Sequence, residues 1–152
     1  MRHRIATAAD SRLYFDWAND PDTRQQSFNS APIPLDAHEA WFTRKVADPN
    51  ALMLVVETEL GEPIGQVRLE KQPDNEVIVG VSLDKAFRGR GLASQLILEA
   101  CEVCQEKWGD VPISAYIKPD NQPSIRAFER AGFVYSHESR KFGVDSVCLT
   151  FP

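Results

Sequence analysis

Two arginines and two glycines alternate at the start of an amphipathic segment, FRGRGLASQLIL over residues 87–98. Glycine loses more conformational entropy on folding than other residues, so this spacing indicates an unusual backbone or a close approach to a ligand. A helix that begins after such a turn presents unpaired N–H groups and the positive end of its dipole, which favour an anion. Two interpretations remain open at this point: a phosphate-binding turn, or a flexible helix start. The segment matches neither the Walker pattern nor GxGxxG.

Composition and charge restrict the class of protein. The 152 residues carry 17 basic and 22 acidic side chains, a formal charge of −5, and no basic run that could follow a nucleic-acid backbone. The N-terminus MRHRIATAAD lacks the apolar core of a secretory signal. No apolar run approaches the ~20 residues that span a bilayer. We therefore predict one domain over residues 1–152, in the cytoplasm, without a nucleic-acid or membrane partner.

The cysteines do not predict a metal or redox site. Cys101 and Cys104 form a CxxC, but Cys148 is the only other cysteine, so a zinc site would lack its second pair. The pair also lies well inside a predicted helix rather than at its N-terminus, where thiols become reactive. We expect buried, reduced thiols and no metal.

The elements that must position the glycine turn follow from periodicity and turn residues. Strands are predicted at 2–6, 51–57, 63–70, 76–83, 111–117, 133–140 and 141–151, and helices at about 8–19, 36–46, 90–107 and from Asn121 to Gly132. Residues 20–34 are predicted to be an irregular connection. The order β-α-α-β-β-β-α-β-α-β-β predicts an α+β protein whose middle strands form an antiparallel meander.

Two further features decide between the interpretations of the turn. Gly80 lies inside the strand before it, where a bulge or a close backbone approach is expected. The segment NQPSIRAFERAGF, residues 121–133, follows the next strand. Arg88, Gly91 and Ala93 match the acetyl-CoA signature Q/R-x-x-G-x-G/A. The chain closely resembles the Gcn5-related N-acetyltransferase (GNAT) superfamily over essentially its whole length.

This resemblance implies a three-layer α+β (α/β) fold, with a mixed sheet of six to seven strands flanked by about four helices, and acetyl-CoA as co-substrate. The turn amides should hold the CoA pyrophosphate, and a bulged strand around 81–83 should pair with pantetheine. That strand should splay from the 111–117 strand to form a slot for the thioester. The implied cofactor-binding residues are Val81, Ser82, Leu83, Arg88, Gly89, Arg90, Gly91, Ala93, Ser94, Asn121, Ser124 and Phe128. An N-cap role for Asn121 is compatible with this. The last strands often form dimers in this superfamily.

The acceptor should be recognised by residues 14–42, which are rich in groups that stack and hydrogen-bond. Their pattern resembles acetyltransferases that modify nucleotide-linked amino-deoxysugars of the pseudaminic acid and surface-glycan type, so a nucleotide-sugar is the expected partner. The predicted substrate-binding residues are Trp17, Asn19, Arg24, Ser27, Phe28, His38 and Trp41. Arg24 is a candidate for a bidentate contact with the acceptor's diphosphate. Packing is an equal alternative for Trp17, Trp41 and His38.

The implied reaction is direct attack of a neutral amine on the thioester while both substrates are bound. His38, Glu70 through water, or water alone could remove the proton from an amine whose pKa is near 8. Many members of this superfamily donate a proton to the sulfur from the hydroxyl of a Tyr. The residue at that position here is Phe128, which has no hydroxyl. Ser124, Tyr116, Tyr135 and water remain as substitutes. The competing functions are an acetyltransferase of protein N-termini and a non-catalytic acyl-CoA-binding module.

Overall fold

The computed structural model describes residues 1–141 and 143–151. Seven strands form one sheet in the order β1-β2-β3-β4-β5-β7-β6. They are β1 (Arg2–Ile5), β2 (Ala51–Glu57), β3 (Pro63–Lys71), β4 (Val77–Leu83), β5 (Ile113–Ile117), β6 (Val134–Lys141) and β7 (Val144–Phe151). All neighbours are antiparallel except β4 and β5. Phe142, in the predicted last strand, and Pro152 lie outside the described residues.

Five helices flank the sheet in the described part of the chain: α1 (Ser11–Ala18), α2 (Pro21–Gln26), α3 (Leu35–Ala47), α4 (Ala93–Trp108) and α5 (Gln122–Arg130). The predicted α+β order is confirmed, with one correction. Residues 20–34 are not wholly irregular, because they contain α2. Asp20 accepts a hydrogen bond from the Thr23 N–H at 3.2 Å, and Pro21 occupies the first helical position, where its missing N–H costs nothing.

The parallel pair β4–β5 is joined over a short distance. Val77 pairs with Ile113 and Ile78 with Ser114, and both strands then continue without pairing to each other. The predicted splay is therefore present. The predicted bulge around 81–83 is wrong on the β3 side, because the β3–β4 register runs without a shift from Gly65 opposite Leu83 to Lys71 opposite Val77.

The sheet has an apolar core on each face. Val67 and Leu69 of β3 face the larger core, which includes buried residues of α4 and α5 such as Leu96 and Phe128. The second core packs Tyr14, Trp17 and Phe42 from α1 and α3 onto Met53 and Val55 of β2. We call the sheet surface beneath α1–α3 the acceptor face.

The three cysteines are free and buried, as the sequence predicted. Burial raises the pKa of the Cys101 thiol to about 12 and that of Cys104 to about 11. Among the helices that the structure describes, none is both long and apolar enough to cross a bilayer.

Candidate active site

The glycine turn has the backbone that its sequence predicts. Gly89 and Gly91 have φ of 77° and 71°, the left-handed region that disfavours other residues. A Cβ built on either glycine would meet nothing within 4 Å, so the space outside the turn is open. No side chain caps α4, whose preceding residue is Leu92. The first N–H groups of the helix therefore have neither a helical acceptor nor a side-chain cap, which suits an anion such as the pyrophosphate of CoA.

Residues just before the turn hold it in place. A 3₁₀ turn over Lys85–Phe87 follows β4, and the two oxygens of Asp84 accept hydrogen bonds from the Ala86 N–H and from Trp17 Nε1, both at 2.9 Å. Phe87 is buried in the larger core. The Arg90 guanidinium lies over the Phe87 ring, 5.1 Å from its centre.

Arg88 binds α2 with its side chain. Its Nη2 donates to Asp20 Oδ2 at 2.9 Å and to the Leu83 carbonyl at 3.1 Å, and its Nη1 lies 3.4 Å from Asp22. Burial alone would raise the pKa of Asp20, but the hydrogen bonds from Arg88 and from the Thr23 N–H hold it below its usual range. The guanidinium is therefore engaged with α2, and the Arg88 backbone N–H makes a long contact of 3.5 Å with the Lys85 carbonyl.

A second contact joins α2 to the other side of the splay. Lys118, just after β5, donates from Nζ to the Gln25 carbonyl at 2.8 Å. Helix α2 is thus tied through Arg88 to the turn after β4 and through Lys118 to the end of β5. The sequence did not predict this strap, because both contacts join residues more than 60 positions apart.

At the start of α5, Asn121 acts as the N-cap: its Oδ1 accepts from the Ser124 N–H at 3.4 Å. The N-cap role predicted for Asn121 is therefore observed. Phe128 is 4% exposed and packs edge-to-face on Phe133, with ring centres 5.0 Å apart. Phe128 belongs to the core, so the structure gives no support for its predicted contact with the cofactor.

The structure corrects the roles predicted for two aromatic side chains. His38 is 2% exposed, its Nε2 lies 2.8 Å from the Ser11 carbonyl, and its ring stacks on Phe42. A ring so enclosed does not reach a substrate, so His38 is a packed structural residue rather than a base. Trp17 is 5% exposed and donates to Asp84, so it is also a packing residue. The half-buried Trp41 remains beside the acceptor face.

Arg24 is occupied by its own loop. Its Nε donates to the Ala18 carbonyl at 2.7 Å, its Nη1 to the carbonyls of Asn29 and Ala31 at 2.9 and 3.2 Å, and its Nη2 to Ser27 Oγ at 3.0 Å. These bonds use four of the five N–H donors of the guanidinium. The structure therefore corrects the predicted contact between Arg24 and a diphosphate: Arg24 and Ser27 stabilise the loop that follows α2.

Asn19 has a similar structural role. Its side chain both donates to the Ile33 carbonyl at 3.0 Å and accepts from the Ile33 N–H at 2.8 Å. Phe28 lies half-buried in the same loop. A cavity of about 470 Å³ is lined by Asn19, Pro21, Arg24, Gln25, Ser30 and Pro32. The segment predicted to contact the acceptor thus forms the walls of a cavity beside α2.

Glu70 lies away from the open end of the splay. It pairs with Ile78 of β4, at the level where β4 and β5 are still joined, and it forms an ion pair with Lys45 at 3.5 Å. Ser82 is four residues further along β4, a separation of about 13 Å at the usual rise of a strand. A role for Glu70 as the base therefore has no geometric support.

The sequence analysis did not identify two polar residues of β3 whose side chains lie on the acceptor face. The alternation in PIGQVRLE turns Gln66 and Arg68 away from the larger core and toward the acceptor face, opposite Ser82 and Gly80 of β4. The period-two pattern is the signal that could have found them.

Residues 3–134 match the family described as "Acetyltransferase (GNAT) domain". The chain belongs to the GNAT acetyltransferase family. The expectations of the fold, of acetyl-CoA as co-substrate and of an acyltransferase are confirmed: this GNAT protein is an acetyl-CoA-dependent N-acetyltransferase, and its acceptor is an amine.

Relatives of this GNAT protein differ in the acceptors that their names state. It is 26% identical to L-amino acid N-acetyltransferase AaaT of Escherichia coli K12, over 76% of this chain and 74% of that protein. It is 27% identical to mycothiol acetyltransferase of Nocardia farcinica over 81% of this chain, but that match spans only 39% of the relative.

Solved structures share the fold at lower identity. Aminoglycoside acetyltransferase AAC(6')-Ib with ribostamycin and coenzyme A superposes with a TM-score of 0.86 at 18% identity, covering 98% and 91% of the two chains. Spermidine N-acetyltransferase of Vibrio cholerae with CoA and spermine gives 0.86 at 19%, covering 99% and 94%. None of these proteins is named for a nucleotide-linked amino sugar as its acceptor, so the expectation of a nucleotide-sugar acceptor is not supported.

Proposed function

We propose that this GNAT protein acetylates the primary amine of a small molecule that lies between β3–β4 and the strap α2. One observation carries the proposal: the open glycine turn, the splay after Ile78 and polar side chains of the acceptor face adjoin one another along β4. This arrangement would bring a donor site and an acceptor site together at the carboxyl end of β4, which is the central strand of the sheet.

On the donor side, the backbone N–H groups of residues 88–91, with Ala93 and Ser94, would hold the pyrophosphate. The β4 backbone from Val81 to Leu83 lies beyond the last pair with β5 and would bind the pantetheine arm by hydrogen bonds. Asn121 and Ser124, at the start of α5, would face the same arm. Bound acetyl-CoA supplies an activated acyl carbonyl as the electrophile.

On the acceptor side, the protein positions a neutral amine. An amine of pKa near 8 costs about 1.4 kcal/mol to deprotonate at pH 7, against about 4.6 kcal/mol for a lysine-like amine. Water is a sufficient base for the first kind. This fits a chain in which His38 is enclosed and Glu70 is distant, and it leaves positioning as the main contribution.

For the proton that the leaving sulfur needs, Ser124 or water is the better candidate. Tyr116 donates its hydroxyl to Glu76 at 3.1 Å, and burial raises its pKa, so its proton is held. Tyr135 is 59% exposed on β6, which is the edge strand of the sheet. It is separated from β5 by β7.

A nucleotide-linked amino-deoxysugar is the narrower acceptor that the sequence predicted, and it stays a prediction. Three of the side chains on which it rested, Trp17, Arg24 and His38, are satisfied within the protein. The cavity beside α2 is what still favours a compact acceptor over an extended peptide. The single domain over residues 1–152, the cytoplasmic location and a dimer through the last strands also stay predictions.

The test is release of CoA thiol with a panel of acceptors: a UDP-4-amino-sugar, L-amino acids, spermidine, an aminoglycoside, an N-terminal peptide and no acceptor. We expect acceptor-dependent release with at least one small amine. Turnover of the peptide alone would support the N-terminal acetyltransferase instead. Calorimetric binding of acetyl-CoA without turnover of any amine would indicate a binding module and overturn the proposal.

A further inference from the structure

Arg68 crosses the neighbouring strand on the acceptor face. It is paired with Gly80 of β4 and Met53 of β2. A Cβ built on Gly80 would lie 2.9 Å from Arg68 Nη2, so the guanidinium occupies the room that the missing side chain leaves. A bulge or a close backbone approach was expected at Gly80, and the structure shows that the absent side chain lets Arg68 lie across the sheet at this point.

The Arg68 guanidinium has no anionic partner among the residues that the structure describes. Its Nε is buried and has no hydrogen-bond acceptor. Its neighbour is the Trp41 ring, whose centre lies 5.8 Å away and which attracts the charge without replacing an oxygen acceptor. By contrast, Arg4 on β1 binds Asp10 and Glu57. A partly buried charge without a counter-ion is costly, so it points to a ligand.

A second guanidinium, that of Arg24, lies close enough to Arg68 to interact with its charge, whereas Glu70 on the same strand is paired with Lys45. Burial and the nearby Arg68 charge both hold the pKa of Arg24 below its usual range. The donors of Arg24 already bind backbone carbonyls, which are neutral and leave its charge uncompensated. Two guanidinium groups thus act on one part of the acceptor face.

A neutral hydrogen-bond acceptor, the side-chain oxygen of Gln66, lies next to Arg68 toward the open end of the splay. Gln66 is two residues earlier on β3, a distance of about 7 Å along the same face. Its Nε2 donates to Ser82 Oγ at 3.0 Å, whereas its Oε1 is buried and has no partner. An amine N–H could donate to Oε1 beside the β4 segment that would bind pantetheine.

We propose that Arg68 binds an anionic group of the acceptor, a carboxylate or a phosphate, while the reacting amine lies toward Gln66 and Ser82. The acceptor is then a small molecule with both an amine and an anion, as in an amino acid. This inference rests on the proposed function. The name of the Escherichia coli relative, an L-amino acid N-acetyltransferase, agrees with it.

The test compares acceptors that differ in the anionic group alone: L-amino acids against their amides for the carboxylate, and 2-aminoethylphosphonate against ethanolamine for the phosphate-like group. Because the amine of an amide is less basic, the preference is read as the change between the wild type and Arg68→Gln. We expect the Gln variant to lose roughly 10- to 100-fold of the preference for the anion, the range expected for charged hydrogen bonds. Arg68→Lys, which keeps the charge without the planar fork, should retain part of it.

Two readouts separate this role from a structural one. Arg68→Gln should unfold at the same or a higher temperature and should bind acetyl-CoA as before, because it removes an unpaired charge. Arg12→Gln removes an exposed charge on α1 and is the matched control that should leave the preference unchanged. An equal preference in the wild type and the Gln variant overturns the proposal, as does a matched loss for acid and amide.

The failure of the proposed function is distinguishable from the failure of this inference. If no amine is turned over, calorimetric titration of the protein with the same acids and amides still decides the role of Arg68. Tighter binding of the acids that is lost in Arg68→Gln would support the anionic subsite without the reaction. Equal binding of acids and amides to the wild type would overturn it.

Discussion

Replacing Gly91 by Ala tests the proposed pyrophosphate turn quantitatively. Gly91 has φ of 71°, where a residue with a Cβ loses roughly 1–2 kcal/mol relative to the right-handed region. The new methyl group would meet nothing within 4 Å, so this conformational cost is the whole effect on the free protein. The magnitude therefore comes from the backbone alone.

The cost of Gly91→Ala can fall on folding or on binding. If the turn keeps its left-handed backbone, the free energy of unfolding decreases by about 1–2 kcal/mol. If the turn relaxes in the free protein, acetyl-CoA must restore it, and Kd rises by about 5- to 30-fold because 1.36 kcal/mol is a factor of ten. Urea unfolding and calorimetric titration with acetyl-CoA, measured on one preparation, should together account for at least the full cost.

Gly109→Ala is the matched control. Gly109 also has positive φ, 75°, with nothing within 4 Å of a built Cβ, but it ends α4 instead of preceding it. We expect Gly109→Ala to lose stability while its Kd for acetyl-CoA stays that of the wild type. The reasoning is refuted if Gly91→Ala changes neither quantity, or if both variants weaken acetyl-CoA binding equally.

Three further predictions follow from single contacts. Arg24→Ala should raise the acceptor KM and increase amide exchange over residues 27–31, while the acetyl-CoA Kd stays unchanged. Arg24→Lys should not restore the wild-type KM or exchange, because one ammonium cannot make four diverging bonds. Unchanged amide exchange in Arg24→Ala would contradict this prediction. The Arg4 guanidinium binds both oxygens of Asp10 at 2.8 Å and holds the pKa of that carboxyl below its usual range. The ion pair therefore stabilises the folded protein fully above the unfolded pKa of about 4, and this stabilisation is lost as the pH falls through the lower folded pKa. Acid unfolding of Asp10→Asn should lack this contribution, and an unchanged acid profile would count against it. Burial of Cys101 and Cys104, which raises their pKa, predicts that these thiols react with a disulfide reagent at pH 8 only after unfolding, whereas rapid native labelling would show that they are accessible.

The sequence by itself determined the donor half of this protein. A glycine that needs a left-handed backbone, as at Gly89 and Gly91, is a local requirement and is legible in the residue type. The N-cap at Asn121 and the alternation along β3 are equally local. Periodicity and turn residues predicted the order of elements, whereas the splay between β4 and β5 was implied by the resemblance to the GNAT superfamily.

Only the tertiary structure decided what each acceptor-side residue does. His38 and Arg24 carry chemistry that suits a substrate, yet the carbonyls that occupy them depend on how α1, α2 and their loops pack. The strap α2, and the lack of a hydrogen-bond acceptor for Arg68 Nε, likewise depend on which strands and turns become neighbours. The physical reason is that backbone conformation follows from a residue and its near neighbours. A polar side chain, by contrast, is free or engaged according to partners that folding brings from distant positions.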